Sequence, residues 1–174
     1  MKIIQASIDD LKEIMHLIEL CVKKMNEEGS NQWDQSYPNK EIIKEDIDAG
    51  YLFVAKFNNK IIGIVVLNHI ESKEYNEINW TDSHGKIIVI HRMAVDINWQ
   101  RKGVAKELIS FSEKFARNNK FTSIRTDTYI ENIKMQSMFK KLGYKKVGQV
   151  FFNNGKTKPF ICFEKVLLHD LHKS

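Results

Sequence analysis

With 174 residues and two cysteines, the chain is long enough to bury a proper core without disulfides or metal. Its apolar and charged fractions, 43% and 28%, exclude a disordered protein. The formal net charge of +5 suits a polyanionic small ligand but does not by itself argue for nucleic acid. Cys21 and Cys162 are too few and too distant for a disulfide framework. The N-terminus is amphipathic and acidic after Ser7, unlike a leader, and no apolar run reaches the ~18 residues of a membrane span, so a cytoplasmic protein is expected.

Lys2–Gln5 is a short strand candidate, and Ser7-Ile8-Asp9-Asp10 resembles a capping arrangement. Leu11, Ile14, Met15, Ile18, Cys21, Val22 and Met25 recur at helical spacing and predict a first helix ending near Gly29. Residues 30–39 have no period and carry Trp33, Tyr37 and Pro38. Asn39 caps a short second helix through Asp48, stopped by Gly50. Tyr51–Phe57 and Lys60–Asn68 are β-rich runs joined by the hairpin signal Asn58-Asn59. Glu71–Ser83 is polar, contains Tyr75 and Trp80, and reads as a loop.

The apolar run Ile87–Val95 predicts a third long strand. After it, Val104, Leu108, Phe111 and Phe115 form one helical stripe. Thr122–Thr128 is another strand. Asn132 caps a helix whose inner face is Met135, Met138, Phe139 and Leu142, ended by Gly143. Lys145–Phe152 and Lys158–Leu167 predict a closing hairpin across Asn153-Asn154-Gly155. The order β-α-α-β-β-β-α-β-α-β-β, without repeat or linker, predicts an α/β mixed sheet with helices on its faces, in one domain over residues 1–174.

Between the third strand and its helix lies Gln100-Arg101-Lys102-Gly103-Val104-Ala105. A strand that hands a small, basic, glycine-containing turn to a helix N-terminus is a phosphate-binding device. The first helical N–H groups lack intrahelical partners and the helix dipole favours an anion there. Gly103 lets the backbone approach that anion, while Arg101, Lys102 and Lys106 supply positive charge. Without a ligand Gly103 is merely a glycine at a helix start; its basic neighbours favour the ligand.

The segments HRMAVDINWQRKGVAKELISF and TDTYIENIKMQSMFKKLGYKKVG resemble the GNAT superfamily of acyl-CoA-dependent N-acyltransferases. Gln100 to Ala105 satisfies that family's [Gln/Arg]-x-x-Gly-x-[Gly/Ala] pattern. The hexapeptide alone recurs by chance in roughly one chain in six of this length. Its context is what makes it specific: Ala94-Val95 ends the preceding strand, Asn132 opens the later helix, and Leu142-Gly143-Tyr144 closes it. The resemblance implies a central, mostly antiparallel twisted sheet with splayed strands flanked by helices. It also implies acetyl-CoA as acyl donor, no metal, and a small-molecule or peptide amine as acceptor. Neither nucleic acid nor membrane is implied as a partner, and the chain would be a monomer or homodimer.

The same resemblance places the pantetheine arm on the backbone of Met93, Ala94 and Val95, much as an added strand pairs. The diphosphate would lie on the amides of Arg101, Lys102, Gly103, Val104, Ala105 and Lys106, with Asn132 and Phe139 near the cofactor. An alkylamine is about one part in two thousand neutral at pH 7, so a proton acceptor is useful. His91 lies two residues before Met93 and therefore on its face; it is the candidate general base, or else a core histidine bonded to backbone. The tyrosine that many family members use to protonate the departing thiolate is here Phe139, and Tyr129 and Tyr144 are the substitutes, Tyr144 also standing where the family has a packing aromatic. Trp33, Asp34, Tyr37 and Trp80, in aperiodic segments, are the acceptor-site candidates, or else cover the core. Arg125 and Asp127 alternate on one strand and are read as partners in ion pairs. His169 and His172 have metal-like spacing but no supporting ligands, and no metal site is expected.

Overall fold

The computed structural model describes residues 1–167; the terminal His169/His172 pair lies outside the described residues. Seven strands form one sheet in the order β1-β2-β3-β4-β5-β7-β6, mostly antiparallel and flanked by helices, as the order of elements predicts. The chain divides into two compact units, Met1–Leu67 with His91–Phe111, and Asn68–Ile90 with the chain from Ser112 onward. Strand β4 (Ile87–Val95) and helix α3 (Val104–Asn118) each pass from one unit into the other.

In the first unit, β1 (Lys2–Gln5), β2 (Leu52–Phe57) and β3 (Lys60–Asn68) form an antiparallel meander. The β2–β3 turn takes φ of 47° at Asn58 and 62° at Asn59. Two consecutive positive φ values match the strand twist, and asparagine tolerates them. A bulge sits where Ala55 pairs Gly63 but Lys56 pairs Ile61. Helix α1 (Leu11–Glu27) follows a 3-10 turn in which the Ser7 amide donates to Asp10 Oδ2 at 2.9 Å. Helix α2 (Lys40–Asp48) starts where Asn39 Oδ1 accepts from the Ile42 amide at 2.9 Å. Ile14, Ile18 and Val22 of α1 pack with Ile43 and Ile47 of α2 on Leu52, Val54, Ile64 and Val66 of the sheet. Elsewhere in the unit Phe53 meets Phe111 at 5.0 Å between ring centroids. Gly63 admits α3 closely: a Cβ there would stand 3.1 Å from both Leu108 Cδ1 and Val104 Cγ1.

In the second unit, Ile87–Ile90 of β4 run parallel to Ser123–Thr126 of β5 (Ser123–Tyr129). Helix α4 (Ile133–Lys141) is capped by Asn132, which accepts from the Met135 amide at 3.2 Å. Strands β6 (Lys145–Val150) and β7 (Phe160–Val166) form the expected hairpin. Its second strand, not its first, pairs with β5, which leaves β6 outermost. β7 is buried from Phe160 to Glu164, whereas Lys145 and Lys146 of β6 are exposed, as suits an outermost strand.

The segment read from sequence as a loop contains a 3-10 turn, Lys73–Glu77, and it is tied down firmly. Arg125 bonds Glu71 and the Asp82 carbonyl, both at 2.5 Å, and its guanidinium lies 4.2 Å from the Trp80 ring centroid. Glu164, 2% exposed, accepts from the Thr81 and Asp82 amides. Gly148 lies under Ile78, whose Cδ1 would be 2.7 Å from a Cβ there.

Candidate functional site

The Gln100–Ala105 turn and the residues leading into it are held by local and long-range bonds within the first unit. The Asp96 amide donates to the Ile62 carbonyl at 2.9 Å, and Asp96 accepts from the Asn98 and Trp99 amides. Trp99 rests against Phe57 at 5.0 Å, with Lys102 Nζ 5.2 Å from its ring. Gln100 is a brace: its Nε2 reaches back to the Val95 carbonyl at 3.3 Å and its Oε1 accepts from Lys24 Nζ at 2.7 Å. The end of β4 and the start of α3 are thereby fixed to each other and to α1.

Arg101 and Gly103 take φ of 62° and 85°. The first helical bond runs from the Glu107 amide to the Gly103 carbonyl, so the Val104, Ala105 and Lys106 amides precede the intrahelical ladder. Arg101, Lys102, Gly103 and Lys106 are exposed, and nothing lies within 4 Å of where a Cβ on Gly103 would stand. Open space, unpaired helix-start amides and three cations together make a cradle for an anion.

Strand β4 alternates as expected. Ala94 faces the core packed by α1 and α2, and Arg92 reaches α2 with a two-pronged pair to Asp46 at 2.7 and 2.8 Å. Its Nη1 donates to the Tyr37 hydroxyl at 2.9 Å. Burial raises the Asp46 carboxyl above its ordinary value, and the Arg92 guanidinium opposes that rise. His91, Met93 and Val95 point the other way. The Val95 carbonyl is already taken by Gln100 and by Cys21 Sγ at 3.2 Å, which limits what that residue offers a ligand. Burial and the Asp96 charge push the Cys21 thiol up to about 11, so it is inert at neutral pH.

A cleft of about 790 Å³ lies between α1 and residues 34–40, with Met15, Ile18, Val22 and Pro38 among its apolar lining residues and Glu19 and Asp34 among its acidic ones. It contains Asp34, whose Oδ1 accepts from Ser36 and Tyr37 and shapes the turn. Tyr37 is beside it, tethered by Arg92. Trp33, expected at an acceptor pocket, is instead 6% exposed within the core cluster, where its large apolar ring is removed from water.

The second unit holds the remaining candidates. Trp80 is likewise a packing residue: its Nε1 donates to the Tyr75 carbonyl at 2.9 Å and its faces meet Tyr75 and Arg125. Phe139 is 2% exposed between Tyr144 and Phe163. Tyr144, expected as a substitute acid, is also 2% exposed, and its hydroxyl has no hydrogen bond of ordinary geometry. Burial and the nearby Glu113 charge hold it well above the usual phenol range, which makes it a poor proton donor. Tyr129 is 2% exposed in the core of this unit. Arg125 forms the expected ion pair, with Glu71. Asp127 does not; it accepts from the Tyr75 hydroxyl at 2.6 Å. The roles of Arg92, Gln100 and Tyr75 were missed in the sequence, since partners 46 to 76 residues away leave no local pattern.

The sequence model of the acetyltransferase (GNAT) family matches residues 12–144. A Bacillus subtilis protein named uncharacterized N-acetyltransferase YesJ is 26% identical over 146 residues, covering 82% of this chain and 81% of that one. Human N-acetyltransferase 8 is 26% identical over 134 residues, 73% of this chain and 52% of its own. The crystal structure of a GNAT-family acetyltransferase from Streptococcus agalactiae superposes with a TM-score of 0.82 at 25% identity, over 97% of this chain and 96% of the other. By the extent of the sequence match and the shared fold, the chain belongs to the GNAT acetyltransferase family.

Proposed function

We propose that the protein is an acetyl-CoA-dependent N-acetyltransferase that moves an acetyl group to a primary amine of a small molecule or peptide, by direct transfer in a ternary complex. The turn between β4 and α3 carries this reading: a positive-φ glycine under open space, helix-start amides, and Arg101, Lys102 and Lys106 around them. These groups fit the diphosphate of CoA, whose thioester supplies the acetyl group.

The chain's own contribution is then binding and proton handling. The Gln100 brace keeps the diphosphate cradle in register with β4, whose Met93 and Val95 amides are the donors for the pantetheine arm. His91, on the face of Met93, accepts a proton from the amine, directly or through water. With Phe139 offering no proton, the thiolate leaves unassisted or takes one from water, which its pKa near ~8.5 permits. Asp34 and Tyr37, in and beside the cleft of the first unit, are acceptor-site residues. The test is CoA release from acetyl-CoA across a panel of amines, with CoA affinity measured by calorimetry. Turnover with any amine that falls on His91→Ala supports the assignment. CoA binding without turnover on any amine favours a non-catalytic acyl-CoA-binding module, the reading that the apolar Phe139 supports.

A further inference from the structure

Asp127 differs from Glu164, the buried acidic residue of its unit among the described residues. On the same face of β5, Arg125 is enclosed by Glu71, Glu164 and the Asp82 carbonyl, and so is unavailable to it. Asp127 accepts one hydrogen bond, from Tyr75, and among the described residues no cation pairs with it. The groups around it are apolar or neutral: Cys162 directly across on β7, and the cluster of Tyr75, Val89, Tyr129 and Phe160. A carboxylate in such surroundings is poorly compensated, and a cation brought to it gains strongly. Desolvation accordingly lifts Asp127 to about 6, against the lowering effect of the Tyr75 bond. Burial, and after it the Asp127 charge, pushes the Cys162 thiol up to about 12.

Its position makes it reachable. The last parallel pair between β4 and β5 is Ile90 with Thr126, and Asp127 is the next residue along β5. The residue is half-buried rather than sealed. Tyr75, 3% exposed and fixed by the Trp80 ring at 4.9 Å, aims the carboxylate from the 3-10 turn that Arg125 clamps down.

We propose that Asp127, oriented by the Tyr75 hydroxyl, binds the ammonium group of a primary alkylamine, and that it selects alkylammonium compounds over amino acids. A carboxylate beside the bound nitrogen would face Asp127 with Arg125 already consumed, and like charges repel. Cation binding here does not depend on the acetyl-transfer reading. Tyr75 is a positioning residue in this scheme.

The experiment is a carboxyl ¹³C titration of Asp127 by NMR in the wild-type protein, with three probes of matched chain length: n-butylammonium chloride, n-butanol and norvaline. At ten times its dissociation constant, n-butylammonium should lower the Asp127 midpoint by about one pH unit. Norvaline and n-butanol should leave it in place, and Tyr75→Phe should shrink the ammonium effect. A midpoint that ignores n-butylammonium, or moves equally with n-butanol or norvaline, overturns the proposal. CoA titrated into the same sample separates the two readings. An ammonium shift without CoA binding sinks acetyl transfer and leaves the cation site standing; CoA binding without an ammonium shift sinks the site alone.

Discussion

Replacing Gly103 by alanine separates the turn's structural role from its role in binding. A Cβ there meets nothing within 4 Å, so there is no clash to relieve. The cost is conformational: at φ of +85°, alanine is strained by about 1–2 kcal/mol. In a domain of this size each kcal/mol lowers Tm by about 2–4 °C, so a fall of roughly 3–6 °C is expected. Ligand binding should suffer more. The added methyl takes up part of the open space at the cradle, and one charge-assisted hydrogen bond lost to the ligand is worth about 1.5–3 kcal/mol, a ten- to hundredfold loss in CoA affinity. Gly29 is the internal control: its φ is +82°, its Cβ space is also empty, and it ends α1. Gly29→Ala should lower Tm similarly and leave CoA affinity intact. Scanning fluorimetry and isothermal calorimetry on the two variants decide the matter, and equal CoA affinities in both would refute the cradle.

Three further outcomes follow from buried groups. Arg125→Met leaves Glu164 and Glu71 without their cation and should cost about 3–5 kcal/mol, visible as a Tm loss of about 10 °C or more; a Tm equal to the parent's would show that the clamp is idle. Phe139→Tyr places a hydroxyl on a ring packed between Tyr144 and Phe163, at about 1–3 kcal/mol in stability and with no gain in turnover. A rise in turnover at unchanged Tm would mean that this position reaches the thioester after all. Asp127→Asn keeps an acceptor for Tyr75 and removes the charge. Because burial raises the folded-state pKa from 3.8 to about 6, the folded protein holds the proton more tightly, and the stability tied to it declines as pH rises from about 4 to about 6. The Asn variant should therefore exceed the parent at pH 7, by at most about 3 kcal/mol, with the difference vanishing near pH 4. Urea melts at both pH values check this, and a difference independent of pH would count against it.

Local signals were legible wherever the chain's own neighbours decide the conformation. Asn39 and Asn132 cap their helices through amides three residues on, and Asn58-Asn59 turns a hairpin by its own φ values. Ile87–Val95 is a strand with the boundaries its apolar run predicts. The candidate site was legible only as a sequence of residue types. Gln100 is recognisable as the first position of a motif, yet nothing near it announces that it braces Val95 and Lys24. Trp33 and Trp80 look like surface aromatics because their flanks are polar, but burial is set by what packs over them.

By itself the sequence determined the element order, the caps and turns, and the glycine-bearing basic cradle that leads to an acyl-CoA family. These depend on backbone sterics and hydrogen bonds spanning a few residues, which any observer of the chain can count. Only the tertiary structure decided that β7 lies between β5 and β6, that Arg92 grips Asp46 from 46 residues away, and that Asp127 meets Tyr75 while Arg125 is spent elsewhere. Pairings of that kind come from which faces are brought together, and burial then fixes what each charge is worth.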